Sequence, residues 1–184
     1  YILEKLQEVV KDAYIIISTY DEDSDSLKVY KVTGTTNRMV DLAEKLTGVK
    51  INDFHYPREK LDQESNNFLS SGKLQKVDDG LYYITAGKLP RKTYNMLEKA
   101  FGIDETYVMG FSLKGEMFGS VNIITQKKGK PLNINTVEPI LNIASVVLQN
   151  KIAEKELKKR EKLLSLVTNN MLNVVGQIDA EGTF

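Results

Sequence analysis

The feature that most constrains this chain is a long stretch without a helix breaker that begins near Asn135. Asn135 is a favourable N-cap residue with Glu138 three positions later, and Pro139 still lies in the first turn, where its missing N–H costs little. No breaker follows until Asn169 or later, which predicts a helix of roughly 35 residues and about 50 Å. A compact domain does not need a helix of that length, so part of it must serve a contact outside the domain.

The outer part of this predicted helix has a heptad pattern. Apolar residues recur every seven positions, with a second position three residues after each, and Arg160 forms one polar layer in this seam. Because Leu148 and Leu157 are nine apart, the seam changes phase around residues 149–156. We expect a parallel homodimer through the terminal helices; the alternative is a solvated helix. The expected dimer contacts are Leu148, Leu157, Leu164, Val167 and Met171.

Composition excludes several classes of protein. The chain of 184 residues has 25 Lys and Arg against 25 Asp and Glu, so no net charge attracts it to nucleic acid or to an anionic membrane. Its 41% hydrophobic and 27% charged residues indicate a globular domain, and its apolar runs are too short to cross a bilayer. We therefore expect a cytoplasmic domain. Because the chain begins at Tyr1 without Met, we expect a piece of a longer protein.

The absence of cysteine excludes the most chemistry. The chain has no Cys, which rules out disulfides, cysteine-ligated zinc, iron–sulfur clusters, a thiolate nucleophile and a covalent thioether to a bilin pigment. No GxSxG, GxxxxGK[ST] or GxGxxG pattern occurs, so no catalytic residues are predicted and nucleotide phosphates have no loop to bind.

The hydrophobic pattern predicts mixed helices and strands over residues 1–126. An amphipathic helix leads into a strand over Ala13–Tyr20 that is apolar at both parities and therefore lies inside the sheet. Gly48 and Gly102 are expected to end two helices, and Lys114–Glu116 to form a tight hairpin. The remaining predicted strands are Leu27–Val32, Val49–Tyr56, Glu105–Leu113 and Met117–Thr125, and the helices are Thr36–Thr47, Lys60–Ser71 and Pro90–Ala100.

This order of elements resembles the GAF sensory domain. The most specific match is Val108–Leu113 running through the Gly115 turn into Met117–Val121, followed by Ala144 in the closing helix. Gly110-Phe111 departs from the family, in which many members have a small residue and Pro at this point. The resemblance implies an α+β fold with an antiparallel sheet of five or six strands over residues 1–152. The terminal helices would cover one face of that sheet, and the variable middle segment the other.

The C-terminal residues resemble a second family. Leu163–Phe184 is similar to the opening of a PAS domain, namely a helix, a strand ending at Ile178-Asp179 and a turn. We therefore expect a coiled-coil linker over residues 153–168 and a truncated PAS domain over 169–184. The order GAF, helix, PAS is that of multidomain sensor histidine kinases, so the resemblance implies such a parent with PAS and kinase domains downstream.

The GAF resemblance also implies a pocket between the sheet and the middle segment. Polar residues inside apolar strands and aromatic residues of the middle segment are its expected lining, and the alternative is that they only fill the core. These candidates are Ser18, Phe54, His55, Tyr56, Tyr82, Tyr83, Tyr94, Phe111, Ser112 and Asn122. His55 is the single histidine, so we expect neither haem ligation through it nor a metal site. The cofactor stays open.

Two functions follow as hypotheses. The first is a regulatory domain of a two-component histidine kinase that senses a small ligand or another input and transmits it through a dimeric helix. The second is a ligand-free GAF domain that acts as a dimerisation module and spacer, which would have a filled core. Neither involves catalysis by this segment.

Overall fold

A computed structural model describes the backbone of residues 2–61, 63–85, 87 and 89–181. It also describes their side chains, except those of residues 2, 3, 52, 63, 64 and 169–181. The chain divides into two compact units, Tyr1–Ser145 and Val146–Phe184. Among the described residues, no helix combines the length and the apolar character that crossing a membrane requires.

The first unit is built on an antiparallel sheet of six strands in the order β3-β2-β1-β6-β5-β4. The central strands are long and pair in register, with Ile15 opposite Ile123 and Met109 opposite Val121. The strands are β1 (Ala13–Asp21), β2 (Ser26–Thr33), β3 (His55–Pro57), β4 (Gln75–Val77), β5 (Ile103–Leu113) and β6 (Glu116–Gln126). Burial of β1 at both parities follows from its place inside the sheet, as predicted.

The helices of the first unit cover both faces of the sheet. They are α1 (Ile2–Val9), α2 (Asn37–Thr47), α3 (Gln63–Ser70), α4 (Gly80–Ile84), α5 (Arg91–Phe101) and the beginning of α6 (Ile134–Glu181). The fully buried Leu6 of α1 and Leu141 of α6 cover the face that carries Ile15 and Ile123. The middle segment, residues 37–101, covers the opposite face. This is the α+β arrangement that the sequence predicted.

The edges of the sheet differ from the prediction. The strand predicted over Val49–Tyr56 is a 3-10 turn at Ile51–Asp53 followed by the three-residue β3. Pro57 terminates β3, since it has no N–H to continue a ladder, and its position at the edge of the sheet is one that proline tolerates. At the other edge, β4 lies within a stretch for which the sequence favoured no element.

The predicted capping of α6 is wrong by two residues. Asn133, not Asn135, is the cap, because its Oδ1 accepts the N–H of Thr136 at 3.3 Å and its backbone oxygen that of Val137 at 3.0 Å. Glu138 is therefore not part of a capping box. Its Oε2 accepts the backbone N–H of Leu74 at 2.9 Å, which ties the α3–β4 connection to the first turns of α6.

The second unit consists of the rest of α6, which is helical through Glu181. The strand predicted to end at Ile178-Asp179 is therefore not present. A helix satisfies its backbone hydrogen bonds internally, whereas a strand needs a neighbouring strand. The assignment of residues 169–184 to a PAS domain stays a prediction, and the linker predicted over 153–168 lies wholly within α6.

Candidate functional site

A cavity of about 200 Å³ lies in the first unit between the sheet and the middle segment. One wall is the sheet, with side chains of β1, β2, β5 and β6. The other wall comes from α2, residues 49–56, α3, α4 and α5. The lining is mostly apolar and includes Ile16, Val29, Met39, Val40, Ala43, Ile51, Leu69, Leu81, Leu97, Val108 and Ile124.

The sheet forms a low floor under this cavity because small residues follow one another across three strands. Ser18 of β1 is directly opposite Ser120 of β6, which in turn is opposite Gly110 of β5. At Gly110 the backbone of α3 comes so close that an added Cβ would lie 2.0 Å from the carbonyl oxygen of Leu69. The small side chains of Ser18 and Ser120 therefore leave space in the cavity, whereas the space at Gly110 is taken by the backbone of α3.

Three polar side chains are part of the floor. Ser18, Ser120 and Asn122 are 7%, 4% and 8% exposed, and all three line the cavity. In the part of the chain that the structure describes, these three side chains form no hydrogen bond with another protein group. Their polar atoms are open to the cavity, so a molecule inside it would be their partner.

The wall above the floor is held by two local hydrogen-bond systems. The Tyr94 hydroxyl lies 2.7 Å from Thr85 Oγ1 and accepts the N–H of Leu89 at 3.0 Å, which fixes two lining residues. On the other side, Glu44 Oε1 accepts the N–H of Ile51 at 3.0 Å and joins α2 to the 3-10 turn. The segments of the cavity wall are therefore joined to one another by hydrogen bonds within the chain.

Half of the pocket residues predicted from sequence line the cavity: Ser18, Phe54, Tyr56, Tyr83 and Asn122. The structure places the others elsewhere. His55 points away because it alternates with its lining neighbours along β3, and its Nδ1 lies 3.1 Å from the Asp53 carbonyl oxygen. Tyr94 lies behind the wall, where it holds Thr85 and Leu89.

The last three predicted residues also lie outside the cavity. Tyr82 is half exposed, with the Arg91 guanidinium 5.3 Å from its ring centroid. Phe111 is fully buried on the other face of the sheet, because side chains alternate along β5 and Val108 faces the cavity. Ser112 donates to the Ser70 carbonyl oxygen at 3.0 Å and so fastens β5 to α3.

Sequence reasoning missed Ser120 and the lining residues of α2. Ser120 could have been found because it is two residues from Asn122 in the same strand, and residues two apart in a strand face the same side of the sheet. The contribution of α2 has no local signal, because an amphipathic helix can pack its apolar face against many surfaces.

The clearest electrostatic perturbations lie away from the cavity. Burial and the hydrogen bond that Tyr107 donates to Glu105 at 2.6 Å raise the pKa of Tyr107 to about 12. The ion pair with Lys28 and hydrogen bonds from Ser24 lower the pKa of Asp21 to about 2. Within the cavity, burial raises the pKa of Tyr14, whose hydroxyl donates to the Phe101 carbonyl oxygen at 2.9 Å. Among the described residues, no group of three metal-ligating side chains converges.

Residues of the expected dimer helix can be placed individually. Leu157, Leu164 and Val167 are exposed in the chain, whereas Leu148 is half-buried. The side chain of Met171 lies outside those that the structure describes. An exposed apolar seam is what a helix with a missing partner would present, and the partner itself stays a prediction.

Comparison with known proteins gives a likeness at the level of structure. No protein-family model and no curated protein sequence matches the chain. A GAF/HD-domain protein from Geobacter sulfurreducens is 12% identical, with a TM-score of 0.55, over 80% of this chain and 87% of that one. A far-red cyanobacteriochrome photoreceptor is 12% identical, with a TM-score of 0.55, over 81% and 82%. The PixJ GAF domain of Thermosynechococcus elongatus is 12% identical, with a TM-score of 0.51, over 85% and 86%.

These identities are too low to transfer function, but the shared architecture covers most of each chain. The strand order, the cavity between sheet and middle segment and the long closing helix occur together in this chain. The chain therefore has the fold of a GAF domain.

Proposed function

We propose that this chain is a regulatory sensor domain that binds a small molecule in the cavity between the sheet and the middle segment. The single observation that carries this proposal is the cavity itself, with polar groups open to it on its floor and an apolar wall. One neighbour in fold is described as a photoreceptor and another as the blue-light absorbing form of a GAF domain, and both descriptions agree with a sensory role. The segment itself would catalyse no reaction.

A route from the cavity to α6 exists within the first unit. Leu69 of α3 lines the cavity, and the α3–β4 connection donates the Leu74 N–H to Glu138 in the first turns of α6. A ligand that displaces α3 would therefore pull on or release α6. It can shift the equilibrium between two helix arrangements only by its difference in affinity for them.

The output would be the geometry of a parallel dimer formed by α6. The phase change around residues 149–156 gives the helix pair two competing seams, which is the kind of bistable element that a switch requires. We further propose that PAS and histidine kinase domains follow in a cytoplasmic parent protein, so that the helix pair regulates autophosphorylation. This context comes from the sequence resemblance alone.

A ligand-free spacer is the other hypothesis. It shares the dimer seam, but it expects a filled core, and a cavity of about 200 Å³ does not fit that expectation. The two hypotheses therefore differ in whether occupation of the cavity changes the helix pair.

Spin labels can measure that change directly, because the chain has no cysteine of its own. A Lys162→Cys variant carries one label per protomer on an exposed helix position outside the seam. Ala43→Leu would fill the cavity from α2 and imitate a ligand, and Lys45→Leu adds the same side chain at an exposed position of the same helix as the matched control. We expect Ala43→Leu to move the inter-label distance by about 2 Å, the scale of helix shifts at subunit interfaces.

The route through Glu138 gives a second pair of variants. Glu138→Gln keeps an oxygen that can accept the Leu74 N–H, so the response to Ala43→Leu should persist, whereas Glu138→Ala should abolish it. Equal distances in the Ala43→Leu and Lys45→Leu proteins, with both folded, would remove the sensor function and leave the spacer.

The dimer is tested separately. Replacing Leu157 and Leu164 together by Ala should give a monomer in light scattering. Leu163 and Leu166 are similarly exposed at 62% and 53% but lie outside the seam, so their joint replacement by Ala should leave the dimer intact. A dimer that survives the first pair would place the contact elsewhere.

A further inference from the structure

The chemistry of the cavity lining limits which molecules it can hold, and this inference rests on the proposed ligand-binding function. The floor offers two hydroxyls and one carboxamide, from Ser18, Ser120 and Asn122. Each hydroxyl can both donate and accept, and the carboxamide has one acceptor oxygen and two N–H donors. The remaining walls are almost wholly apolar, so these are the groups that would orient a ligand.

Their spacing defines the polar edge of that ligand. Ser18 and Ser120 are directly opposed in neighbouring strands, with Cβ atoms about 5 Å apart. Asn122 is two residues further along β6, about 7 Å from Ser120 on the same face. The three polar groups therefore form one short strip that can meet a single polar edge, with apolar surface on its flanks.

The absence of positive charge in the lining excludes ligands that carry a phosphate or a carboxylate group. Among the described lining residues there is no Lys, Arg or His, so a buried phosphate or carboxylate would have no cation to pair with. Glu44 is the one ionisable acid in the lining besides the tyrosines, and its Oε1 already accepts the N–H of Ile51. A cationic ligand could pair only with the Glu44 carboxylate, which lies on the α2 wall and not on the floor.

Size sets the last limit. A cavity of about 150 Å³ lined by apolar side chains holds benzene. The present cavity is about 200 Å³, which suits one or two rings.

We propose that the cavity binds a small, neutral, planar molecule of one or two rings whose edge presents an N–H donor beside a carbonyl acceptor, as in a lactam or an aryl carboxamide. Asn122 would form paired hydrogen bonds with that edge, because a carboxamide matches an adjacent donor and acceptor. Ser18 and Ser120 would donate hydrogen bonds to the remaining lone pairs on the polar edge of the ligand. The rings would lie against Val29, Leu69 and Val108.

Three probes of one shape test this proposal on the whole chain: 2-quinolone, naphthalene and quinoline-2-carboxylate. Binding is measured by titration with NMR detection of the Ser120 and Asn122 amides. We expect 2-quinolone to bind at least 10-fold more tightly than naphthalene and at least 10-fold more tightly than the carboxylate. Stronger binding of the carboxylate, equal binding of 2-quinolone and naphthalene, or no binding of any probe would overturn the proposal.

Variants of the floor identify the residues responsible. Asn122→Leu has nearly the same volume and should remove the preference for 2-quinolone over naphthalene while leaving naphthalene affinity unchanged. Ser120→Ala adds no volume, so it serves if Asn122→Leu does not fold, and it should lower 2-quinolone affinity by about 3- to 10-fold, a typical hydrogen-bond contribution. If neither variant changes the preference, another part of the cavity holds the ligand and the assignment of the strip is wrong.

This experiment separates the ligand class from the sensor function. If 2-quinolone binds as expected but leaves the distance between Lys162→Cys labels unchanged, the ligand class stands and the sensor function fails. If Ala43→Leu moves the labels but the probes show no preference, the sensor function stands and the ligand class fails.

Discussion

Replacement of Gly110 by Ala tests the packing that creates the cavity. Gly110 has ordinary strand geometry, and Ala in a strand interior is normally more stable than Gly by about 0.5–1 kcal/mol. In this chain, however, the new Cβ would lie 2.0 Å from the Leu69 carbonyl oxygen and 2.8 Å from the Leu69 Cα. Since the obstacle is backbone, no side-chain rotation relieves it.

The cost follows from what must move. Ordinary contact needs about 3.5 Å, so α3 must retreat by about 1.5 Å. Overpacking of this kind costs about 1–3 kcal/mol, and loss of the Ser112–Ser70 hydrogen bond about 1 kcal/mol more. After subtracting the intrinsic gain, Gly110→Ala should destabilise the protein by roughly 1–3.5 kcal/mol, or about 2–14 °C in Tm for a chain of this size.

Thermal and urea unfolding followed by circular dichroism measure this effect. Gly72→Ala is the matched control, because its Cβ meets no atom within 4 Å and its φ of +64° costs only about 1 kcal/mol. The reasoning is refuted if Gly110→Ala leaves the free energy of unfolding unchanged or raises it. A gain in stability is what the preference for Ala over Gly in a strand interior predicts when the contact with α3 is ignored.

Three further predictions concern individual hydrogen bonds and pKa values. Tyr94→Phe should cost about 1–3 kcal/mol in urea unfolding, because the Leu89 N–H loses its partner, whereas Thr85 keeps its hydrogen bond to the Leu81 carbonyl oxygen; an unchanged midpoint would contradict the wall geometry. Because the pKa of Tyr107 is raised to about 12, its contribution to the free energy of unfolding is complete below pH 10 and is lost as pH rises toward 12. Tyr107→Phe should flatten that slope. Because the pKa of Asp21 is lowered to about 2, its contribution is present above pH 4 and lost as pH falls through 2. NMR titration should find this pKa well below the usual range of an aspartate carboxyl, and Lys28→Gln should raise it.

The sequence predicted the fold well where local and long-range signals agree. The strand Ala13–Tyr20 is apolar at both parities, and Gly48 and Gly102 have the positive φ values expected just after a helix. The edges were predicted poorly because a strand of three residues has no periodicity to detect. At Asn133 and Asn135, two residues of the same type are candidate caps, and only the hydrogen bonds that Asn133 accepts from Thr136 and Val137 distinguish them.

The cavity could be predicted only in part, because alternation along a strand cannot be followed through irregular segments. His55 was grouped with Phe54 and Tyr56, although alternation places it opposite them. Phe111 was assigned to the cavity because it is aromatic, although its parity is that of the other face. The floor is equally hard to read, since it depends on Ser18, Ser120 and Gly110 meeting across three strands, and only the pairing register brings them together.

The energetic cost of this floor argues against a purely structural domain. Burying a Val or Leu side chain contributes about 1.5–3 kcal/mol, and Ser18 and Ser120 forgo that contribution at two positions of the floor. Larger apolar residues at Ser18 and Ser120 would fill the space and remove two hydroxyls that form no hydrogen bond within the described chain. A spacer gains nothing by keeping them, whereas a ligand at 100 times its Kd restores about 2.7 kcal/mol through binding to the folded state alone.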